Sequence, residues 1–113
     1  MKTGKKIKLP GVSAGEHIHR MKKVRPDIYK SLKTPSPRTS VAWNIVNIRH
    51  RQGLTQVELA EKAGITSRTI QYLEDLNHLY NPTLEVLSKV ANGLDVGLEE
   101  IIRPVDLTKA FPR

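Results

Sequence analysis

From Val41 onward apolar residues recur three and four positions apart, the period of helices with one buried face. Val41, Ile45 and Ile48 form the inner edge of a first helix, which begins at Ser40, runs through Arg49 and closes at Gly53 in a left-handed cap. Thr55 and Glu58 have the spacing of a capping box, each side chain satisfying a free N–H of the first turn, so a second helix starts at Thr55. Leu59 and Ala63 share its inner face, and Ala60 beside them is small enough to admit a neighbouring helix. Gly64 ends that helix, Ile65 fills the corner, and Thr66 caps a third. The third helix is predicted to turn Ile70, Leu73 and Asn77 inward and Ser67, Arg68, Gln71, Tyr72 and Asp75 outward. Asn81, Pro82 and Thr83 then start a fourth helix with Leu84, Leu87, Val90, Ala91 and Leu94 inward, and Gly97 precedes a short fifth with Leu98, Ile101 and Ile102.

Upstream the pattern weakens. Residues 1–15 are Lys-rich, carry Pro10, Gly11 and Gly15, and lack an apolar period, which predicts disorder in isolation. Pro26 suits the first turn of a further short helix with Ile28, Tyr29 and Leu32 as an apolar edge, and Ile18 and Met21 lie three apart just before it. A piece this short cannot stand alone: it docks on its own domain, crosses to a dimer partner, or folds on meeting another protein. Thr34, Pro35, Ser36 and Pro37 favour extended backbone and read as a linker. The expected organisation is an arm and linker over 1–39, a helical domain over 40–102 and a tail over 103–113 that folds back or crosses to a partner. Trp43 lies on a different edge from Ile45, under the linker, at a partner surface or in peripheral packing.

The chain has 113 residues, no cysteine and a net charge of +8, which leaves room for one small domain plus extensions and excludes disulfides and cysteine-held metals. A helical core this small supplies about 3 to 5 kcal/mol, so an added interface would be welcome. The charge is unevenly divided. Residues 1–39 hold 11 Lys and Arg against Glu16 and Asp27, a balance of +9, whereas residues 40–113 hold eight against nine, a balance of −1. Such an arm either adds salt-sensitive affinity for a phosphate backbone or is a solvated terminus that keeps the protein soluble. His17 and His19 flank Ile18 without a third ligand nearby and read as a solvated pair, so no metal and no cofactor is expected. No nucleophile with a base, metal cluster or phosphate-cradling glycine loop is visible, and no catalytic residue is expected. The absence of a transmembrane run or secretory signal points to a cytoplasmic protein with no membrane partner.

Through Gly53, Leu54, Thr55 and Gln56, then Leu59, Ala60, Ala63, Gly64 and Ile70, the chain resembles the XRE-like family, the helix-turn-helix domains of phage repressors and Cro, over roughly residues 41 to 102. The resemblance implies a five-helix, lambda-repressor-like fold whose third helix enters the major groove of double-stranded DNA, and a homodimer on two half-sites one helical turn apart. It further implies that Gln56 braces the first recognition-helix residue and touches phosphate, that Ser67, Arg68, Thr69 and Tyr72 face bases, and that Arg49 and Glu74 form an internal ion pair. Leu94, Val96 and Leu98 fall in the region that commonly forms the dimer contact. Thr66 and Gln71 lie on the same exposed surface.

Arg68 is the side chain best able to specify a base, because its guanidinium can donate two parallel hydrogen bonds to guanine, a discrimination of about 1 to 3 kcal/mol. The segment from Asp75 to Asn81 departs from the family: it is longer by about two residues and has no Lys or Arg, leaving His78 as its candidate phosphate contact, while Leu76, Leu79 and Tyr80 either extend the third helix or bury themselves against the arm. The reading is a cytoplasmic, nucleoid-associated, sequence-specific DNA-binding regulator, a dimeric repressor. The alternative is an antitoxin-like interaction protein whose residues 16–33 clamp a protein partner, with DNA binding for autoregulation.

Overall fold

The computed structural model describes residues 20–109; the Lys-rich stretch 1–15, the His17 and His19 pair and Phe111 lie outside them. The described residues are helical, without strands. Residues 20–24 form helix, and α1 follows at Pro26–Lys33. Five further helices come next: α2 (Pro37–Arg51), α3 (Gln56–Ala63), α4 (Ser67–Glu74), α5 (Leu84–Gly93) and α6 (Leu98–Ile102), then a 3-10 turn at Leu107–Lys109. The residues from Ser36 to Val105 make one compact unit, and the described residues on either side of it group separately, where the 3-10 turn packs on α1.

Helix starts follow the side-chain chemistry. Ser36, Thr55, Thr66 and Thr83 each accept a hydrogen bond from the backbone N–H three residues on, and at Thr55 the reciprocal bond from its own N–H to Glu58 completes the capping box. Pro37 occupies the first turn of α2, where its missing N–H costs nothing. The helix therefore begins three residues before the expected Ser40, and Ser36, Pro37 and Arg38 belong to it and not to a linker or arm.

Three of the helices end alike. Beyond α2, α3 and α5 the chain takes one left-handed residue, Gly53 (φ 69°), Gly64 (φ 73°) and Asp95 (φ 59°). At each, two successive N–H groups turn back onto carbonyls of the last turn, as in Asp95 to Asn92 at 3.0 Å and Val96 to Ala91 at 3.0 Å. α4 ends differently, on Asp75 in extended backbone.

Ile45, Leu59, Ile70, Leu73, Val90, Leu94 and Ile101 are fully buried and form the centre of the core. α3 and α5 pack closely at Gly93: a Cβ there would sit 2.9 Å from the Ala63 nitrogen and 3.0 Å from its Cβ. The small-residue contact thus pairs Ala63 with Gly93, a residue the periodicity did not single out. Several expected positions differ. Asn77 is exposed and outside any helix, because α4 stops at Glu74. Leu84 and Ile102 face outward, at the first and last residues of α5 and α6. Leu76 and Leu79 neither extend α4 nor bury themselves, whereas Tyr80 packs against the core. Leu94, placed with Val96 and Leu98 in a dimer contact, is 0% exposed, so its side chain presents nothing to a partner in this fold. The tail is tied back at Val105, whose N–H donates to the Ser40 hydroxyl at 3.3 Å.

Gly93→Ala is expected to lower stability by about 1 to 3 kcal/mol, because the added methyl meets backbone that cannot step aside. Asp95→Gly is expected to raise it, by up to about 1 kcal/mol, through relief of the left-handed conformation. Urea unfolding of both variants checks the opposite signs.

Candidate nucleic-acid interface

The outward face of α4 is only as well defined as the supports that fix the helix. The first is a buried ion pair. The Arg49 guanidinium, from α2, reaches Glu74 at the end of α4 with both carboxylate oxygens engaged, Nε to Oε2 at 2.7 Å and a terminal nitrogen to Oε1 at 2.9 Å. The side chains are 10% and 7% exposed. Arg49 also donates to the Leu54 carbonyl at 2.9 Å and meets His50 Nε2 at 3.1 Å. Gln56, in the first turn of α3, donates its Nε2 to Glu74 Oε1 at 2.8 Å. Three helices thus share one satisfied polar cluster. Gln56 was expected to brace the first residue of the recognition helix; its carboxamide nitrogen is instead committed to the last.

The second support is Arg38, on the first turn of α2. Its guanidinium donates to the carbonyls of Tyr72 at 2.7 Å, Leu73 at 2.8 Å and Tyr80 at 3.1 Å. Partial burial lowers its pKa, opposed by the nearby Tyr80 and Asp75, and a guanidinium remains a cation throughout. Sequence reading missed Arg38 by counting it with the arm. The signal was present, since Ser36 followed by Pro37 is a helix start. Asn44 and Gln52 were also missed: Asn44 donates to the Ile101 and Arg103 carbonyls at 2.9 and 2.8 Å, and Gln52 to the Leu94 carbonyl at 2.7 Å.

On this frame α4 exposes Arg68 and Gln71 to solvent, with Ser67, Thr69 and Tyr72 half-buried alongside. Thr66 and Thr69 are occupied with each other: the Thr66 hydroxyl accepts from the Thr69 N–H at 3.2 Å and lies 3.0 Å from its hydroxyl. Thr69 therefore presents its methyl more readily than its oxygen. The longer connection after α4 folds back on the helix. Asp75 accepts from the N–H of Asn77 at 2.9 Å, and the His78 ring stacks on Tyr72 with centroids 3.8 Å apart and planes 12° from parallel. Tyr80 lies tilted against Tyr72 at 6.1 Å. Tyr72 and His78 thus form one aromatic step at the end of the helix that carries Arg68. No group of three His, Asp or Glu side chains among the described residues is placed to hold a metal. No described helix is long and apolar enough to cross a membrane.

A model of the helix-turn-helix family HTH_3 matches residues 45–101, half of the chain. The chain belongs to this family, of the XRE type, whose members are DNA-binding transcriptional regulators and not enzymes. It is 38% identical over 71 residues to the immunity repressor protein of Bacillus phage phi105, a match spanning 62% of this chain and 47% of the repressor's length. Among solved structures it is similar to a hypothetical transcription factor, NHTF, from Neisseria, with a TM-score of 0.56 and 26% identity over 63% of this chain and 83% of that one. It is also similar to a chain of the SinR protein/SinI protein complex, with a TM-score of 0.51 and 32% identity, covering 56% of this chain and 60% of that one.

Glu74→Ala is expected to cost about 3 to 5 kcal/mol by stranding the Arg49 charge, whereas replacing both partners with apolar residues, Arg49→Met with Glu74→Leu, is expected to restore most of that loss. A double-mutant cycle in urea measures both.

Proposed function

We propose that this regulator is a sequence-specific repressor that binds a roughly palindromic operator as a homodimer and occludes a promoter. The observation that carries the reading is the face of α4, where Arg68 and Gln71 are exposed on a helix whose start is fixed by the Thr66 cap and whose end is fixed by Arg49 and Arg38. Arg68 reads a guanine, Thr69 offers its methyl to thymine, and Tyr72 with His78 meets bases or phosphate at the far end. Ser67 and Thr66 add permissive contacts at the helix start, and Gln56 reaches phosphate through what its bond to Glu74 leaves over. The likeness to a phage immunity repressor supports repression over activation. Val96 and Leu98, both half-buried near the start of α6, serve as dimer contacts without Leu94. The domain from Ser36 onward, with nine Lys and Arg against nine Asp and Glu, supplies discrimination, and the arm over residues 1–35, with a balance of +8, supplies affinity for any phosphate backbone. Its setting is cytoplasmic and nucleoid-associated.

A second reading is the antitoxin-like one, in which residues 16–33 hold a protein partner. It draws on the apolar edge of α1, Ile28, Tyr29 and Leu32, and on a structural neighbour that is itself one member of a two-protein complex.

Selection of bound sequences from random duplex DNA at two salt concentrations tests the main reading: enrichment of one palindrome supports it, and enrichment of nothing overturns it. Arg68→Ala is expected to lose about 1 to 3 kcal/mol of discrimination between the selected and an unrelated duplex while non-specific binding survives. Neutralising Lys2, Lys5, Lys6 and Lys8 together is expected to weaken binding to every duplex alike and to lower the slope of log K against log salt by about 0.9 for each phosphate that the arm no longer neutralises. An unchanged slope would show that the arm does not touch DNA.

A further inference from the structure

α4 ends with one backbone N–H turned back, that of Asp75 onto the Tyr72 carbonyl at 3.3 Å, but without the left-handed residue that follows α2, α3 and α5. Its last residue is followed by Asp75 in extended backbone (φ −101°, ψ 105°), so the left-handed turn that satisfies the final carbonyls of α2, α3 and α5 is missing. Its last turn carries no basic side chain of its own. A helix leaves its final carbonyls unpaired, with a partial negative charge that favours a cation. Beyond the Asp75 N–H on the Tyr72 carbonyl, both needs are met from another element. Arg38 places two guanidinium nitrogens on the carbonyls of Tyr72 and Leu73, at 2.7 and 2.8 Å, and its Nε on that of Tyr80, at 3.1 Å.

These three carbonyls belong to two segments, the end of the recognition helix and the far side of the connection that follows it. The fork thus closes the loop from Asp75 to Asn81 onto the helix that it leaves. That loop carries His78, stacked on Tyr72 at 3.8 Å. A planar guanidinium with donors in fixed directions holds three acceptors in one geometry, which a point charge on a flexible stem does not. We infer that Arg38 is a positioning residue for DNA recognition: without touching DNA itself, it sets the pose of the Tyr72–His78 step relative to Arg68. The inference rests on the DNA-reading role given to α4 and adds to it a determinant outside the helix-turn-helix.

The test uses the full chain with Arg38→Ala and Arg38→Lys, the latter keeping the charge and losing the fork. Two readouts are taken on variants shown by circular dichroism to be folded. In amide hydrogen exchange, Arg38→Ala is expected to speed exchange at His78 and Tyr80 more than at residues of α3 and α5. In DNA titration, it is expected to weaken binding to the selected duplex by about ten-fold, leave binding to unrelated duplex unchanged, and keep the salt slope of the parent chain. Arg38→Lys is expected to fall between the parent and Arg38→Ala in both. A salt slope reduced by about one in either variant would identify Arg38 as a phosphate contact and overturn the inference. Full recovery with Lys would overturn it as well, because charge alone would then suffice. Should Arg38→Ala not fold, Arg38→Lys carries both readouts, and parent-like exchange together with parent-like discrimination overturns the inference. A parent chain that prefers no sequence sinks the reading of α4 and this inference together; a parent that discriminates, with variants that discriminate equally well, sinks the inference alone.

Discussion

The ion pair between Arg49 and Glu74 is the constraint around which the rest of the domain is arranged. Two opposite charges are held in a region where neither side chain is more than a tenth exposed, and every neighbouring group is turned to satisfy them. Desolvating the pair costs several kcal/mol per ion, and the return is specificity of arrangement as much as stability. Arg49 cannot reach both oxygens of Glu74, the Leu54 carbonyl and His50 unless α2 and α4 cross at one angle and register. Gln56 then ties the start of α3 to the same carboxylate. The bihelical element and the helix beneath it are locked by one cluster, and the apolar core fills in around it.

Around that cluster, α4 is held at both ends. Thr66 fixes its start through a side-chain cap, Glu74 anchors its last turn, and Arg38 donates to the Tyr72 and Leu73 carbonyls at its extended exit. The exposed residues between these supports can change without disturbing the scaffold. Such separation suits a protein that must present different side chains to different DNA sequences on the same frame.

Electrostatics divides the labour again. A domain from Ser36 onward with nine Lys and Arg against nine Asp and Glu attracts a polyanion weakly, so in the proposed function discrimination by α4 is not swamped by unspecific attraction, while the cations of residues 1–35, with a balance of +8, are available to supply the latter. The connection from Asp75 to Asn81 continues the theme, since it replaces basic side chains with an aromatic stack whose surface is small and directional.

Local signals in the chain settled the starts of α1, α3, α4, α5 and α6 and the left-handed turns at Gly53 and Gly64, because helix caps and glycine turns depend on residues three or four apart. The early start of α2 was legible in Ser36 and Pro37 yet masked by the linker-like run that contains them. Periodicity also placed Ile45, Leu59, Ile70 and Leu73 in the core, and the resemblance brought Arg49 and Glu74 together. It overreached at Asn77, Leu84 and Ile102, where the helical period runs on past the point at which the helix or the core stops. Long-range facts lay beyond it: the close approach of Gly93 to Ala63, the stacking of His78 on Tyr72, and the reach of Arg38 across 34, 35 and 42 residues to three carbonyls. Sequence by itself determined which segments are helices and which faces they bury, since those follow from propensity and spacing along the chain. Beyond the Arg49–Glu74 pair that the resemblance supplied, tertiary structure decided which polar groups of distant segments meet, because a hydrogen bond of about 3 Å between them depends on helix crossing and register, which no local pattern encodes.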